Sequence, residues 1–248
     1  MKKILIVLLI GIFIFPINIF AKEKGEEDFT EITRQEKFYK VVYYNDNNQI
    51  SSIGGTNYIV YDISESEYNS ANLFEHINPN VSGFVETTYK KMTTYILSNG
   101  SNYRYKVTLE WKNLPSTRSY DIIGIGHFAS VKTVGDLVFY QEYNQNGTHK
   151  TVYAHIPQYF SYGASATFKL PEGSISSLTQ TLYYDVEKNT NATILTQKAY
   201  GDYSHATSSI SESNATNHTV SSSIVLDSSI SGYYDAISSA IATWNGSW

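Results

Sequence analysis

Cysteine is absent from this 248-residue chain. That excludes disulfide staples, thiolate metal sites and a lipid-modified cysteine. Beyond the N-terminus no apolar run reaches the length of a membrane span, so the rest of the chain is expected to be soluble. Basic charge is also scarce, with 18 Lys and Arg against 23 Asp and Glu. Nucleic acid is therefore a poor partner, and bulk charge gives equally little attraction to anionic lipid. No Gly-x-Ser-x-Gly elbow is present, which removes the commonest local signature of an acyl-transfer serine. The fold must hold by its core alone, and residues 22–248 suffice, since a domain of that size buries roughly 70 % of its unfolded surface.

The N-terminus, MKKILIVLLIGIFIFPINIFAKEKGEED, has a charged start, an apolar run and a small residue at Ala21 before the charges resume. This is the anatomy of a secretory signal peptide over residues 1–21, with cleavage after Ala21, and it predicts an extracellular protein. Without Lys2 and Lys3 the balance is 16 basic to 23 acidic, a net of −7.

Most of residues 22–248 alternates with period two. Tyr103, Tyr105, Val107, Leu109 and Trp111 share one face of a strand whose other face is Arg104, Lys106, Thr108, Glu110 and Lys112. Ser98–Ser101 should join it to a preceding strand over 87–97. Asn146-Gly147 writes a second hairpin, between 137–143 and 149–156. A third is expected between 178–186 and 193–200. Phe38–Tyr44 and Tyr58–Ile63 read as strands around a Gly54-Gly55 turn. Recurrent turn signals predict an all-β fold, an antiparallel β-sandwich in a single β-rich domain over 22–248. At the end, Ile230, Tyr233, Tyr234, Ile237, Ile241 and Trp244 follow helical spacing, which predicts a short C-terminal amphipathic helix.

Two stretches invite functional readings. Residues 121–129, DIIGIGHFA, contain the Gly-x-Gly-x-x-Ala of a dinucleotide turn. Such a turn needs a helix whose N-terminus meets the phosphates, and the following SVKTVGDLVFYQEY reads as strand. Gly124 and Gly126 then mark a bulge or a place where another backbone comes close. No cofactor site is expected. The second stretch is Ser204 to Ser223, dominated by Ser, Thr, Asn and Ala, with a turn near Glu212–Asn217. It reads as a linker, an edge hairpin, or the soluble form of a membrane hairpin.

His149 and His155 lie six residues apart on one strand, roughly 20 Å, too far to share a metal. His205 and His218 can meet only if their segment folds as a hairpin. Asp121 with His127 has the residue types of an acid–base dyad, and Glu110, Asp136, Glu142 and Asp185 read as solvent-facing carboxylates. Trp111, Arg118 and Asp121, in WKNLPSTRSYD, form the candidate ligand-gripping or structural corner: a strand ends at Trp111, Pro115 turns the chain, and Arg118 precedes a very apolar strand holding Asp121. The stretch from Trp111 through Asp121 into Ile122-Ile123-Gly124-Ile125-Gly126 resembles small secreted proteins of Gram-positive bacteria with no assigned function. That resemblance implies secretion and says nothing of activity.

Taken together, the sequence favours a secreted, non-catalytic interaction protein for an extracellular protein or glycan. Tyrosine, at 22 residues, supplies amphipathic contact area suited to either ligand. The alternative is a β-barrel pore former using Ser204–Leu226, the one case that makes the membrane a partner.

Overall fold

The computed structural model describes residues 29–44, 57–71 and 84–248. The expected leader and the Gly54-Gly55 turn lie outside them. The described strands are β1 (Thr30–Tyr44), β2 (Asn57–Ile63), β3 (Phe84–Ser98), β4 (Tyr103–Asn113), β5 (Tyr120–His127), β6 (Val131–Gln145) and β7 (Thr148–Val152). They continue as β8 (Ile156–Phe160), β9 (Gly163–Lys169), β10 (Ile175–Lys188), β11 (Thr196–Ser204), β12 (His218–Val220), β13 (Ile224–Leu226) and β14 (Ser238–Asn245). Two short helices, α1 (Glu65–Ser70) and α2 (Glu212–Ala215), interrupt them.

Every strand pairing is antiparallel. Seven strands form one sheet in the order β2-β1-β3-β4-β10-β6-β7, and five form a second, β14-β11-β5-β9-β8. β12 and β13 pair only with each other. The alternation of β4 is realised in full, with Tyr103, Tyr105, Val107, Leu109 and Trp111 all buried. They join one core drawn from both sheets, including Met92 and Ile96 from β3 and Ile123, Ile125, Phe168 and Tyr203 from the five-stranded sheet. Phe139 of β6 stacks on Phe168 of β9 at 4.4 Å between ring centroids. The Tyr184 hydroxyl on β10 donates to the Ile125 carbonyl on β5 at 2.8 Å, so β10 is bonded to the opposite sheet.

Two of the three expected hairpins form. Asn99 Oδ1 accepts from the backbone N–H groups of Ser101 and Asn102 and closes the β3–β4 turn. Asn146 and Gly147 adopt φ of 52° and 76°, the positive pair a two-residue hairpin turn requires.

The third hairpin does not form. β10 pairs with β4 and β6, whereas β11 pairs with β5 and β14, so the chain between them crosses from one sheet to the other. Alternation marks a strand but not the sheet it enters.

The C-terminal helix is also corrected. Ser231–Tyr233 makes a single 3-10 turn, and the chain then runs as β14 along the whole length of β11. Its inward face is Ser238, Ala240 and Ala242, while Ile241 points outward. The large residues that mimicked a helical stripe belong to different environments. Small side chains carry the buried face, where β1 and β3 of the other sheet pack close to it.

Candidate functional site

The expected corner splits into a buried part and a peripheral part. Trp111 lies within the core at the end of β4, and Asp121 on β5 is wholly buried. The Asp121 carboxylate accepts from the Tyr203 hydroxyl, from His205 Nδ1 at 3.0 Å and from the Ala206 N–H at 2.9 Å. Arg118 does not join it. Its guanidinium donates to the Pro115 carbonyl, and Glu86 and Asp121 act on it only through space. The carboxylate at this corner thus bonds to a histidine 84 residues away rather than to the neighbouring arginine. His127, the partner suggested by sequence, sits at the far end of β5 and bonds to Phe128 O and Thr133 instead.

Beside Asp121 stands a second buried pair that sequence reasoning missed. Lys90 Nζ on β3 meets Asp235 Oδ2 at 3.2 Å, and neither side chain is exposed to solvent. The ammonium lies over the rings of Trp111 and Tyr203, 5.5 and 5.0 Å from their centroids. Burial pushes the Tyr203 phenol well above its usual pKa, and Asp121 adds to the shift. Tyr203 therefore serves as a neutral donor. Period two placed Lys90 on the same inward face as Met92, which was the available signal; its partner lay 145 residues away.

Asp121 with His205 has the atoms of an acid–base dyad. Both side chains are fully enclosed, so no substrate reaches them in this conformation. The cluster acts as a fastening. His205 and Asp235 stand at the two ends of the connection between β11 and β14, which contains the Ser/Thr-rich segment, and they also bind each other. The His205 N–H donates to Asp235 Oδ1 at 2.7 Å, and the Asp235 N–H to the His205 carbonyl at 2.9 Å. Among the described residues, no three His, Asp or Glu side chains lie close enough to hold a metal ion.

Between those ends the segment folds back over the outer face of the five-stranded sheet. There Ala206, Ile210, Ala215, Val220, Ile224, Ile230 and Tyr234 form a small core of their own with Ile122. This explains the glycines of GIGHFA. A Cβ on Gly126 would stand 1.6 Å from the Ser221 carbonyl oxygen, and one on Gly124 would crowd Ile224 and Val220. The residues that imitate a dinucleotide turn are the floor on which the β12–β13 hairpin rests.

Polar contacts hold the hairpin there. Asp202 Oδ2 accepts from the Ile224 N–H at 2.7 Å, and His218 Nε2 meets the Ser165 hydroxyl at 2.8 Å while Nδ1 faces the Ala215 carbonyl. Burial lowers the His218 pKa from 6.5 to about 4. Its folded pKa lies below the unfolded one, so the unfolded chain takes up the proton first. Stability is full above about pH 6.5 and falls as pH drops toward 4, by up to about 3 kcal/mol. Asp202 opposes this: burial raises its pKa, so its own contribution favours the fold at low pH. The expected outcome is that His218→Gln, which cannot titrate, flattens the fall in melting temperature between about pH 6.5 and pH 4. An unchanged slope would mean another group carries it.

Several exposed aromatic side chains fall in one stretch of the chain. Tyr153, Tyr159, Tyr162 and Phe128 are 43–55 % exposed, and all lie between β5 and β9 in the chain. The His127 N–H donates to the Tyr162 carbonyl at 2.8 Å, which sets the Tyr162 turn beside Phe128, and Phe128 meets Tyr200 edge-on at 5.5 Å. Tyr153 and Tyr159 flank, in sequence, the stretch that lines a cleft of about 440 Å³. Gln141, His155, Lys169 and Glu212 supply its polar atoms, and Tyr120 donates to Glu212 at 3.2 Å.

No family model matches this chain, and no curated protein does. Among solved structures it is similar to the collagen-binding domain of the Erysipelothrix rhusiopathiae surface protein RspB. That likeness has 10 % identity and a TM-score of 0.31, over 65 % of this chain and 66 % of that one. It is also similar to AvmM, which catalyses macrocyclization in alchivemycin A biosynthesis, at 8 % identity and a TM-score of 0.27, over 58 % of this chain and 79 % of that one. Likenesses so slight carry no argument about this chain.

Proposed function

We propose that the chain is a secreted, non-catalytic binding protein, a β-sandwich domain over residues 22–248, whose ligand is a cell-envelope or host-surface glycan. The observation that carries this reading is the open cleft with tyrosine, amide, imidazole and carboxylate groups in its lining and with the exposed Tyr153 set between two of its lining residues in the chain. Tyrosine faces stack on the apolar faces of sugar rings, and amide, imidazole and carboxylate groups at the rim bond to hydroxyls. Lys169 is already engaged by Glu172 at 2.5 Å, so the cleft offers hydrogen bonds rather than a free cation, which suits a neutral glycan. The leader anatomy and the lack of cysteine support secretion without disulfide support.

The test is calorimetric titration of residues 22–248 with soluble neutral cell-envelope polysaccharides, alongside Tyr153→Ala and Glu212→Ala. Each substitution is expected to weaken binding at least about tenfold while leaving the melting temperature in place. Binding indifferent to both substitutions would move the site elsewhere. Failure of every glycan to bind would remove this reading.

A further inference from the structure

We propose that residues 206–234 are a latent membrane-inserting β-hairpin, stored in the soluble fold on the outer face of the five-stranded sheet. This goes beyond the glycan reading and does not depend on it. Three independent features carry it.

The first is how the segment is hung. It connects β11 to β14, which are direct neighbours paired from Thr196 with Asn245 to Tyr203 with Ser238. Its base is closed by the crossed bonds of His205 and Asp235 and by the Thr207 N–H donating to the Tyr233 carbonyl at 2.8 Å. The segment can leave the sheet without opening either strand.

The second is what it leaves behind. Its apolar residues form a cluster separate from the main core, so release exposes Ile122 and a glycine floor and leaves the inter-sheet packing intact.

The third is the sequence itself. No lysine or arginine occurs in the segment, and its only carboxylates are Glu212 and Asp227. Extended, His218–Leu226 is nine residues long, close to the roughly 9–11 of a spanning strand. Val220, Ile224 and Leu226 share one face with Ser222 between them and His218 at its start, and Thr219, Ser221, Ser223 and Val225 lie on the other. Ala206, Ser208 and Ile210 give the incoming run a matching face. Glu212–Asn217 turns between the runs, and Asp227 ends the second, so both carboxylates fall outside the apolar stretches. One copy supplies two strands, and a barrel must close because lipid satisfies no free edge. Closure at eight strands takes about four copies. With no lysine or arginine in the segment, insertion at about pH 7 would not depend on anionic lipid.

The test exploits the lack of native cysteine. Residues 22–248 carrying Ser222→Cys, Ser223→Cys, Val225→Cys or Leu226→Cys are each labelled with an environment-sensitive dye. These side chains are not fully buried, so the fold tolerates the labels. Each is mixed at micromolar protein with zwitterionic vesicles, and with vesicles containing anionic lipid, at about pH 5 and about pH 7. Entrapped dye is released in parallel. The proposal expects emission to rise several-fold at 222 and 226 and to stay flat at 223 and 225, with release in both lipids. No rise at any position would overturn it. An equal rise at all four would also overturn it, as surface adsorption rather than a spanning strand. The vesicles contain no glycan, so these results stand apart from the polysaccharide titration.

Discussion

Lys90→Met is expected to lower stability by about 3–5 kcal/mol, a loss of roughly 6–20 °C in melting temperature for a chain of this size. Methionine matches the lysine stem in length and apolar character, so packing against Trp111 and Tyr203 is largely kept. What is lost is the cation. Asp235 then remains fully enclosed with one oxygen bonded to the His205 N–H and the other facing an apolar group. A buried carboxylate stripped of its counter-ion is among the most costly single changes a fold can suffer. Lys90→Met combined with Asp235→Asn should recover much of the loss, because the amide oxygen still accepts from His205 without a charge. If the single variant melts with the native protein, or if the double variant is no better than the single one, the pair is not an energetic fastening. Thermal denaturation of the three proteins decides between these outcomes.

Gly126→Ala should produce an effect of similar size by a different route. The added methyl would lie 1.6 Å from the carbonyl oxygen of Ser221. The carbonyl is backbone and the methyl is fixed rigidly to backbone, so no rotamer change relieves the overlap and the hairpin has to lift. Lifting exposes Val220 and Ile224, now 3 % and 2 % exposed, and burial of each side chain is worth about 1.5–3 kcal/mol. The expected cost is about 3 kcal/mol, with new proteolytic cleavage confined to residues 216–228. Global loss of structure without that local cleavage would show that β5, rather than the hairpin, had given way. The same variant bears on membrane insertion, since a chain that cannot store its hairpin should release vesicle contents faster than the native chain.

Local features were legible in the sequence where a single element determined them. The alternation of Tyr103 to Trp111, the Asn146-Gly147 turn and the close backbone approach at Gly126 all follow from residue types at fixed spacing. The corner at Trp111, Arg118 and Asp121 was legible only as a place where charge enters an apolar strand. Its chemistry depends on Lys90, His205 and Asp235, which reach it from β3, from the end of β11 and from just before β14. Nothing local specifies such a meeting. The same limit produced the mistaken third hairpin and the mistaken helix. A strand's pattern tells which face is buried but not which neighbour it finds, and Ala and Ser on the inner face of β14 left the large residues to suggest a false period.

The strand order has a further consequence, for the time course of folding. β10 lies between β4 and β6, and β11 and β14 supply two strands of the second sheet. The central pairings therefore join segments far apart in the chain, and the Lys90 fastening waits for residue 235. Loops of that length are slow to close: the seven-stranded sheet waits for β10, and the five-stranded sheet is completed only when the last quarter of the polypeptide is available. A chain built this way can assemble its larger sheet first and closes the smaller one, with its Lys90–Asp235 fastening, last.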